Sequence, residues 1–138
     1  MSESIVVGTD GSATANRAVA EAIRFAKALA AEVHVVSAYV ARDIRLPSPS
    51  GTVDDGNVDA TLAEAAASAS SEHVIVKTHA VRSDPADALL GIANHVGATM
   101  IVIGSQGMHG AKRVLGSVPN SVSHKARCNV LIISTDPD

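Results

Sequence analysis

Short β-branched apolar runs alternate along this chain with longer stretches in which apolar residues recur every three or four positions. SIVVG at 4–8, VHVVSAY at 33–39, HVIVKTHAV at 73–81, TMIVIG at 99–104 and NVLIIS at 129–134 are of the first kind and have the length of strands. The third alternates imperfectly, which suits burial on both faces. Between the first two runs, residues 15–31 carry Ala18, Ala22, Phe25 and Leu29 at helical spacing, with Arg17, Glu21, Arg24 and Lys27 elsewhere, the pattern of an amphipathic helix. An Ala-rich helix is predicted over 57–70 and a short one over 117–126. Asp84-Pro85 opens another: Asp84 as N-cap, Pro85 at the first helical position, Asp87 adding negative charge to the first turn, and Gly97 closing it.

Residues 40–56 break the pattern. ARDIRLPSPSGTVDDG holds Pro47, Pro49, Gly51 and Gly56 and has no periodicity. Loops longer than about 12–15 residues are uncommon in compact domains unless functional or disordered, so this stretch is expected to be a mobile flap. Elsewhere strands and helices alternate throughout. That predicts a single α/β domain over 1–138, with a mostly parallel sheet covered by helices on both faces and no internal repeat.

Composition narrows the function. Aromatics make up 1% of the 138 residues and Trp is absent, which disfavours base-stacking platforms for single-stranded nucleic acid. Net charge is −3, and no basic run exceeds Lys112-Arg113, so no nucleic-acid stripe is legible. The lone Cys128 cannot form an internal disulfide; it suits a reducing cytoplasm and reads as a buried small apolar residue. No stretch is long and apolar enough to suggest a signal peptide or a membrane span, so the expectation is a cytoplasmic protein without a membrane partner.

The candidate chemistry lies where strands end. In doubly wound sheets, ligands sit outside the carboxyl ends of strands where the winding reverses. Gly8-Thr9-Asp10-Gly11-Ser12 follows the first run, and Gly104-Ser105-Gln106-Gly107 follows the fourth. If those strands are neighbours, both loops face one crevice. Glycine lets successive N–H groups point to one side and a ligand approach without a Cβ in the way. Gly116-Ser117-Val118 stands where a helix N-terminus should add donors and a positive dipole end. The Ser117 hydroxyl can cap that helix or bond a phosphate oxygen, and Pro119 in the first turn loses no helical bond. Lys112 and Arg113 would offset phosphate charge. An ordinary glycine-rich connection is the alternative on composition alone. Neither the Walker A pattern nor G-x-G-x-x-G is present.

VVGTDGS after the first strand, SAY after the second, and IVIGSQG, LGSVPNSVSHKA and CNVLII in the C-terminal half together resemble the universal stress protein family over nearly the whole chain. That resemblance implies a doubly wound five-stranded parallel sheet of order 3-2-1-4-5. It also implies a role in stress response or signalling rather than metabolism. The ATP-binding branch carries G-x2-G-x9-G-[ST]. Here Gly104 and Gly107, then Gly116 and Ser117, supply the pattern, but the spacer from Met108 to Leu115 is one residue short.

By position, Gly8, Thr9 and Asp10 match the adenosine side and Ala38 a position against the adenine. Gly104, Ser105, Gly107, Gly116, Ser117 and Val118 match the phosphate loop, with Met108 and Gly110 beside it. Asp10 is either a ribose or metal-side contact or a turn residue bonding its own backbone. The implied ligand is ATP, AMP or cyclic AMP, with Mg2+ or Mn2+ as the ions that would accompany the phosphates. Slow ATP hydrolysis or self-phosphorylation is the alternative, and a nucleotide-free interaction module another. The resemblance also makes residues 129–134 an edge strand that pairs with its copy in a homodimer; the alternative is an edge covered by the tail.

Other constellations are weak. His34, His73, His79, His95, His109 and His124 include no i, i+4 pair and no supporting Cys pair, which argues against a zinc site. His109 lies in the loop and reads as a solvated residue or a phosphate donor. Ser12, Ser105 and Ser117 fall at strand ends, yet the G-x-S-x-G elbow of serine hydrolases is missing.

Overall fold

A computed structural model of the chain describes residues 3–40, 52–69, 72–105 and 115–134. In chain order the elements are β1 (Ser4–Gly8), α1 (Ala13–Leu29), β2 (Glu32–Val40), β3 (Val53–Asp54), α2 (Val58–Ser68), β4 (Val76–Arg82), α3 (Pro85–Val96), β5 (Met100–Gly104), α4 (Ser117–Lys125) and β6 (Asn129–Ile133). All strand pairs are parallel. β2 pairs β4 and β1, β1 pairs β5, and β5 pairs β6. The five expected strands therefore lie side by side in the order β4-β2-β1-β5-β6, with the winding reversed between β1 and β5.

Among the described residues the sheet nevertheless has six strands, not five. The addition is β3, inside the stretch expected to be a flap. Two residues, Val-Asp, are too few to show a period, so pattern reading misses them. Tyr39 pairs Arg82 of β4 on one side and Val53 on the other. β3 thus occupies the edge of β2 that β1 vacates after Gly8. The hydrogen bonds agree: Thr9 N–H donates to the Val36 carbonyl at 2.9 Å and Asp55 N–H to the Val40 carbonyl at 3.1 Å, on the same edge of the strand. Residues 41–51 of the expected flap lie outside the described residues.

Two apolar layers sandwich the sheet. One joins Ile5, Val7, Val33, Val35 and Val102 to α1 and α2; the other joins Val6, Val36, Ile101 and Ile103 to α3 and α4. In α1 the buried stripe is Ala18, Val19, Ala22, Ile23 and Ala26. It is rotated from the expected one: Phe25 is only partly buried, with the Arg24 guanidinium 5.2 Å from its ring centre, and Leu29 is 44% exposed at the helix end. The buried stripe is made mostly of small residues, with Phe25 packed at its margin.

β4 corrects a second expectation. It begins at Val76 rather than His73, because His73 takes a left-handed φ of 58° that extended backbone cannot accommodate. It is an outer strand with its residues half-buried or exposed, not a strand buried on both faces. Its imperfect alternation reflects an open edge. The caps of α3 follow the sequence: the Asp84 carboxylate accepts from Asp87 N–H at 3.0 Å, Pro85 stands in the first turn, and Gly97 ends the helix at φ 64°.

Candidate functional site

Because β1 and β5 are neighbours, their ends at Gly8 and Gly104 line one crevice, joined by Thr9 and Asp10 from beyond β1; residues 106–114 lie outside the described residues. Gly8, Thr9, Asp10, Thr14, Ala15, Val36, Pro85, Leu89, Ile103, Gly104, Val118 and Pro119 line the crevice, around about 540 Å³ of space open to solvent. Its floor is apolar, made of Val36, Leu89 and Ile103. Its polar lining residues are Thr9, Asp10 and Thr14. The rim gathers the first turns of three helices: Thr14 and Ala15 of α1, Pro85 of α3, and Val118 and Pro119 of α4. Parallel strands followed by returning helices point every helix N-terminus to the same end of the sheet, so the positive dipole ends converge there.

Bare backbone matters at Gly8. A Cβ there would come within 3.2 and 3.3 Å of the Leu89 methyl carbons, so any side chain would press on the floor. Gly11 is needed for a different reason: it turns the chain into α1 at φ 83°. Two residues after Gly8, Asp10 closes the same turn, its Oδ1 accepting from Ser12 N–H at 3.0 Å while the residue faces the crevice. Thr9 Oγ1 accepts from Gly11 N–H at 3.1 Å and Thr9 is buried. Ser12 is not poised as a nucleophile. It caps α1, its Oγ accepting from Ala15 N–H at 3.2 Å and lying 3.1 Å from Thr14 Oγ1.

The three helix ends differ electrostatically. α1 and α3 are capped by the side chains of Ser12 and Asp84; α4 starts at Gly116, which has no side chain to accept from its amides. Among the described residues no side chain caps the amides that open α4. Ser117 is the first helical residue and is exposed, with no side-chain cap bond at that end. The hydroxyl therefore does not perform the capping role that the sequence allowed.

The remaining predicted residues separate into groups. Gly8, Thr9, Asp10, Gly104 and Val118 meet at the crevice, and Gly116 and Ser117 adjoin Val118 in the chain. Ser105 is buried, its N–H continuing the β5–β6 ladder to the Ile133 carbonyl at 2.9 Å. Ala38 is buried in the α3-side core, two residues beyond the lining Val36, and is not itself part of the lining. Gly107, Met108, His109, Gly110, Lys112 and Arg113 lie outside the described residues. Thr14, Ala15, Val36, Pro85, Leu89, Ile103 and Pro119 line the crevice but were not among the site residues expected from sequence, although Pro119 was placed in the first turn of its helix. Pro85 carried a signal, since an N-terminal Pro marks a helix end that parallel topology aims at the crevice; the others read as ordinary core or helix residues.

Among the described residues no group of His, Cys, Asp and Glu is arranged to hold a metal ion. Asp10 is the one carboxylate among the described lining residues. Cys128 is half-buried beside the second core layer, and burial raises its thiol pKa above the ordinary value.

The family model for the universal stress protein family matches residues 1–134. The chain belongs to that family. Universal stress protein Rv1636 of Mycobacterium tuberculosis is 34% identical over 144 aligned positions, covering 96% of this chain and 97% of that one. Among solved structures, a universal stress protein in complex with cAMP superposes with a TM-score of 0.80 at 31% identity, covering 98% of both chains. The universal stress protein from Archaeoglobus fulgidus in complex with dAMP gives 0.71 at 25% identity, covering 96% of this chain and 98% of that one. No helix of the described residues is long and apolar enough to cross a membrane.

Proposed function

We propose that the crevice binds an adenine nucleotide, with the adenosine toward Gly8, Thr9 and Asp10 and the phosphate toward Gly104 and the amides that open α4. The observation that carries this reading is the meeting, at the β1–β5 reversal, of two bare strand ends with a helix N-terminus that lacks a side-chain cap. The apolar floor of Val36, Leu89 and Ile103 suits the face of a base. Two related universal stress proteins are described in complex with cAMP and with dAMP, both adenine nucleotides bearing a single phosphate. The short spacer between Gly107 and Gly116 bears on how far a triphosphate reaches, so AMP and cyclic AMP stand beside ATP as ligands.

Where a triphosphate binds, Mg2+ or Mn2+ would neutralise its charge. Asp10 is the described residue placed to approach such an ion, although Ser12 N–H already engages one of its oxygens. The role is nucleotide-dependent signalling in the cytoplasm under stress, carried out by a homodimer. β6 supports the dimer, because Val130, Leu131, Ile132 and Ile133 are only partly buried on the outer edge of the sheet and a second copy would pair that edge.

Isothermal titration with AMP, cyclic AMP and ATP tests the reading. Heat of binding from at least one is expected. Silence from all three removes the nucleotide and leaves an interaction module. Binding accompanied by phosphate release above a protein-free blank makes the protein a slow hydrolase instead.

A further inference from the structure

On the sheet face that α3 covers, an unbroken chain of polar contacts ties the outer strand to the centre. His34 Nε2 lies 2.8 Å from Glu32 Oε1, and His34 Nδ1 lies 2.8 Å from His79 Nε2. The two imidazoles are stacked with centroids 5.1 Å apart, and His34 is 3% exposed. His34 shares its strand face with Val36 and Ala38 of the α3-side core. No spacing in the sequence announces this cluster; the β2–β4 register assembles it.

The contacts fix where the protons are. A carboxylate only accepts, so His34 Nε2 carries a hydrogen. In a neutral His34, Nδ1 is then bare and accepts, so His79 Nε2 must be the donor. One added proton fits this chain. It enters at His79 Nδ1, the Nε2 hydrogen of His79 passes to His34 Nδ1, and the resulting His34 cation lies between the Glu32 carboxylate and an accepting His79 nitrogen. A second proton does not fit. Both facing nitrogens would then carry hydrogens 2.8 Å apart, and two cations would be stacked in contact.

We propose that Glu32, His34 and His79 form an acid-sensitive clasp between the edge strand β4 and the body of the sheet, closed with one proton or none on the histidine pair and open with two.

The surroundings set its response. Lys77 of β4 stands 3.6 Å from Glu32 Oε2, Ser4 of β1 donates its hydroxyl to Oε1 at 3.3 Å, and the charge of His95 in the last turn of α3 reaches His79. Burial, followed by the charges of His34, His95 and Lys77, holds His79 below its ordinary pKa of 6.5. The Glu32 pKa is likewise lowered, chiefly by the hydrogen bond from His34, with Lys77 and Ser4 adding to it against the effect of burial. The carboxylate therefore stays charged as His79 titrates.

The sign of the pH effect follows. The unfolded chain binds a proton at His79 before the folded chain does, so stability is full above about pH 6.5 and declines as pH falls toward the lower folded value. Each proton taken up on unfolding raises the unfolding constant by up to about tenfold per pH unit. The crevice is close at hand: Val36 pairs with His79 in register and floors the crevice, and α3 supplies Pro85 and Leu89. Opening the clasp is expected to weaken nucleotide binding as well, a consequence that rests on the nucleotide reading above.

Imidazole ¹⁵N NMR of the wild-type protein and urea unfolding from pH 8 to 5 test the clasp. At pH 7.5 both rings are expected as Nε2–H tautomers, titrating in two coupled steps. His79→Gln retains a donor toward His34 Nδ1 but cannot be charged, so its unfolding constant should rise less steeply below pH 6.5, by about one proton. Two independent histidine titrations, an Nδ1–H tautomer at His79, or equal slopes in the two proteins would overturn the clasp, and the NMR arm needs no variant to fold. AMP titrations at pH 7.5 and 5.5 test the coupling, with the ligand's own ionisation cancelling between proteins. Affinity should fall more in wild type than in His79→Gln; equal falls refute the coupling. No AMP binding at either pH counts against the nucleotide reading, while the NMR and unfolding results still decide the clasp.

Discussion

Gly8→Val is the sharpest probe of the crevice. Gly8 is outside the left-handed region, and a β-branched residue suits a strand end, so backbone strain does not obscure the result. The obstacle is space. The new Cβ would stand 3.2 and 3.3 Å from the two Leu89 methyl carbons, so Leu89 must yield by a few tenths of an ångström, and the two added methyls extend further into the lining. Overpacking of this kind costs about 1–3 kcal/mol. If the methyls point at the floor, the loss appears in stability; if they point into the open volume, it appears in ligand affinity as roughly a 5- to 150-fold rise in Kd. Urea unfolding and AMP titration on the same preparation separate the two. Gly8→Ala, which adds the Cβ alone, should show a smaller effect of the same sign. A Gly8→Val protein of normal stability that binds AMP with unchanged affinity would refute the argument, because no route to the floor of the crevice would then pass Gly8.

Three further outcomes are expected. Asp84→Ala removes the α3 cap and should cost about 1 kcal/mol at pH 7 by urea unfolding. Because Asp87 N–H holds the Asp84 carboxylate below its ordinary 3.8, that contribution is present above about pH 4 and fades below it, so the gap between variant and wild type should close in acid. Ser37 is fully buried and its hydroxyl has no hydrogen-bond partner among the described residues; Ser37→Ala should raise stability by about 1 kcal/mol, and a loss instead would show that the hydroxyl is satisfied. Ile132 is half-buried against the α3-side core on the outer strand β6; if the proposed dimer pairs that strand, Ile132→Lys should shift sedimentation toward monomer, and a persistent dimer places the interface elsewhere.

The match to the expected α/β order is close from β2 through β1 and β5 to β6 and poorer at the opposite edge, where β4 and β3 lie, and the elements show why. β1, β2 and β5 are dense β-branched runs whose sequence excludes most alternatives. β4 is an outer strand, so its residues need not alternate strictly and its start at Val76 was not legible. β3 gains its identity only from the free edge that β2 offers beyond Gly8, a property of two other strands.

For the site, the glycines and Asp10 stood out because strand ends followed by small residues have a direct physical meaning. Val36, Leu89 and Ile103 did not, because a floor residue and a core residue obey the same hydrophobic pattern. The chain order of residue types settled where most strands and helices form, how α3 is capped, and which strand ends are bare, since each depends on neighbours within a few positions. Contacts between distant segments required the folded sheet: the crevice exists because β1 lies beside β5, and His34 meets His79 because β2 and β4 align at one register. Such pairings follow from how whole faces are buried together, and no local run of residues encodes them.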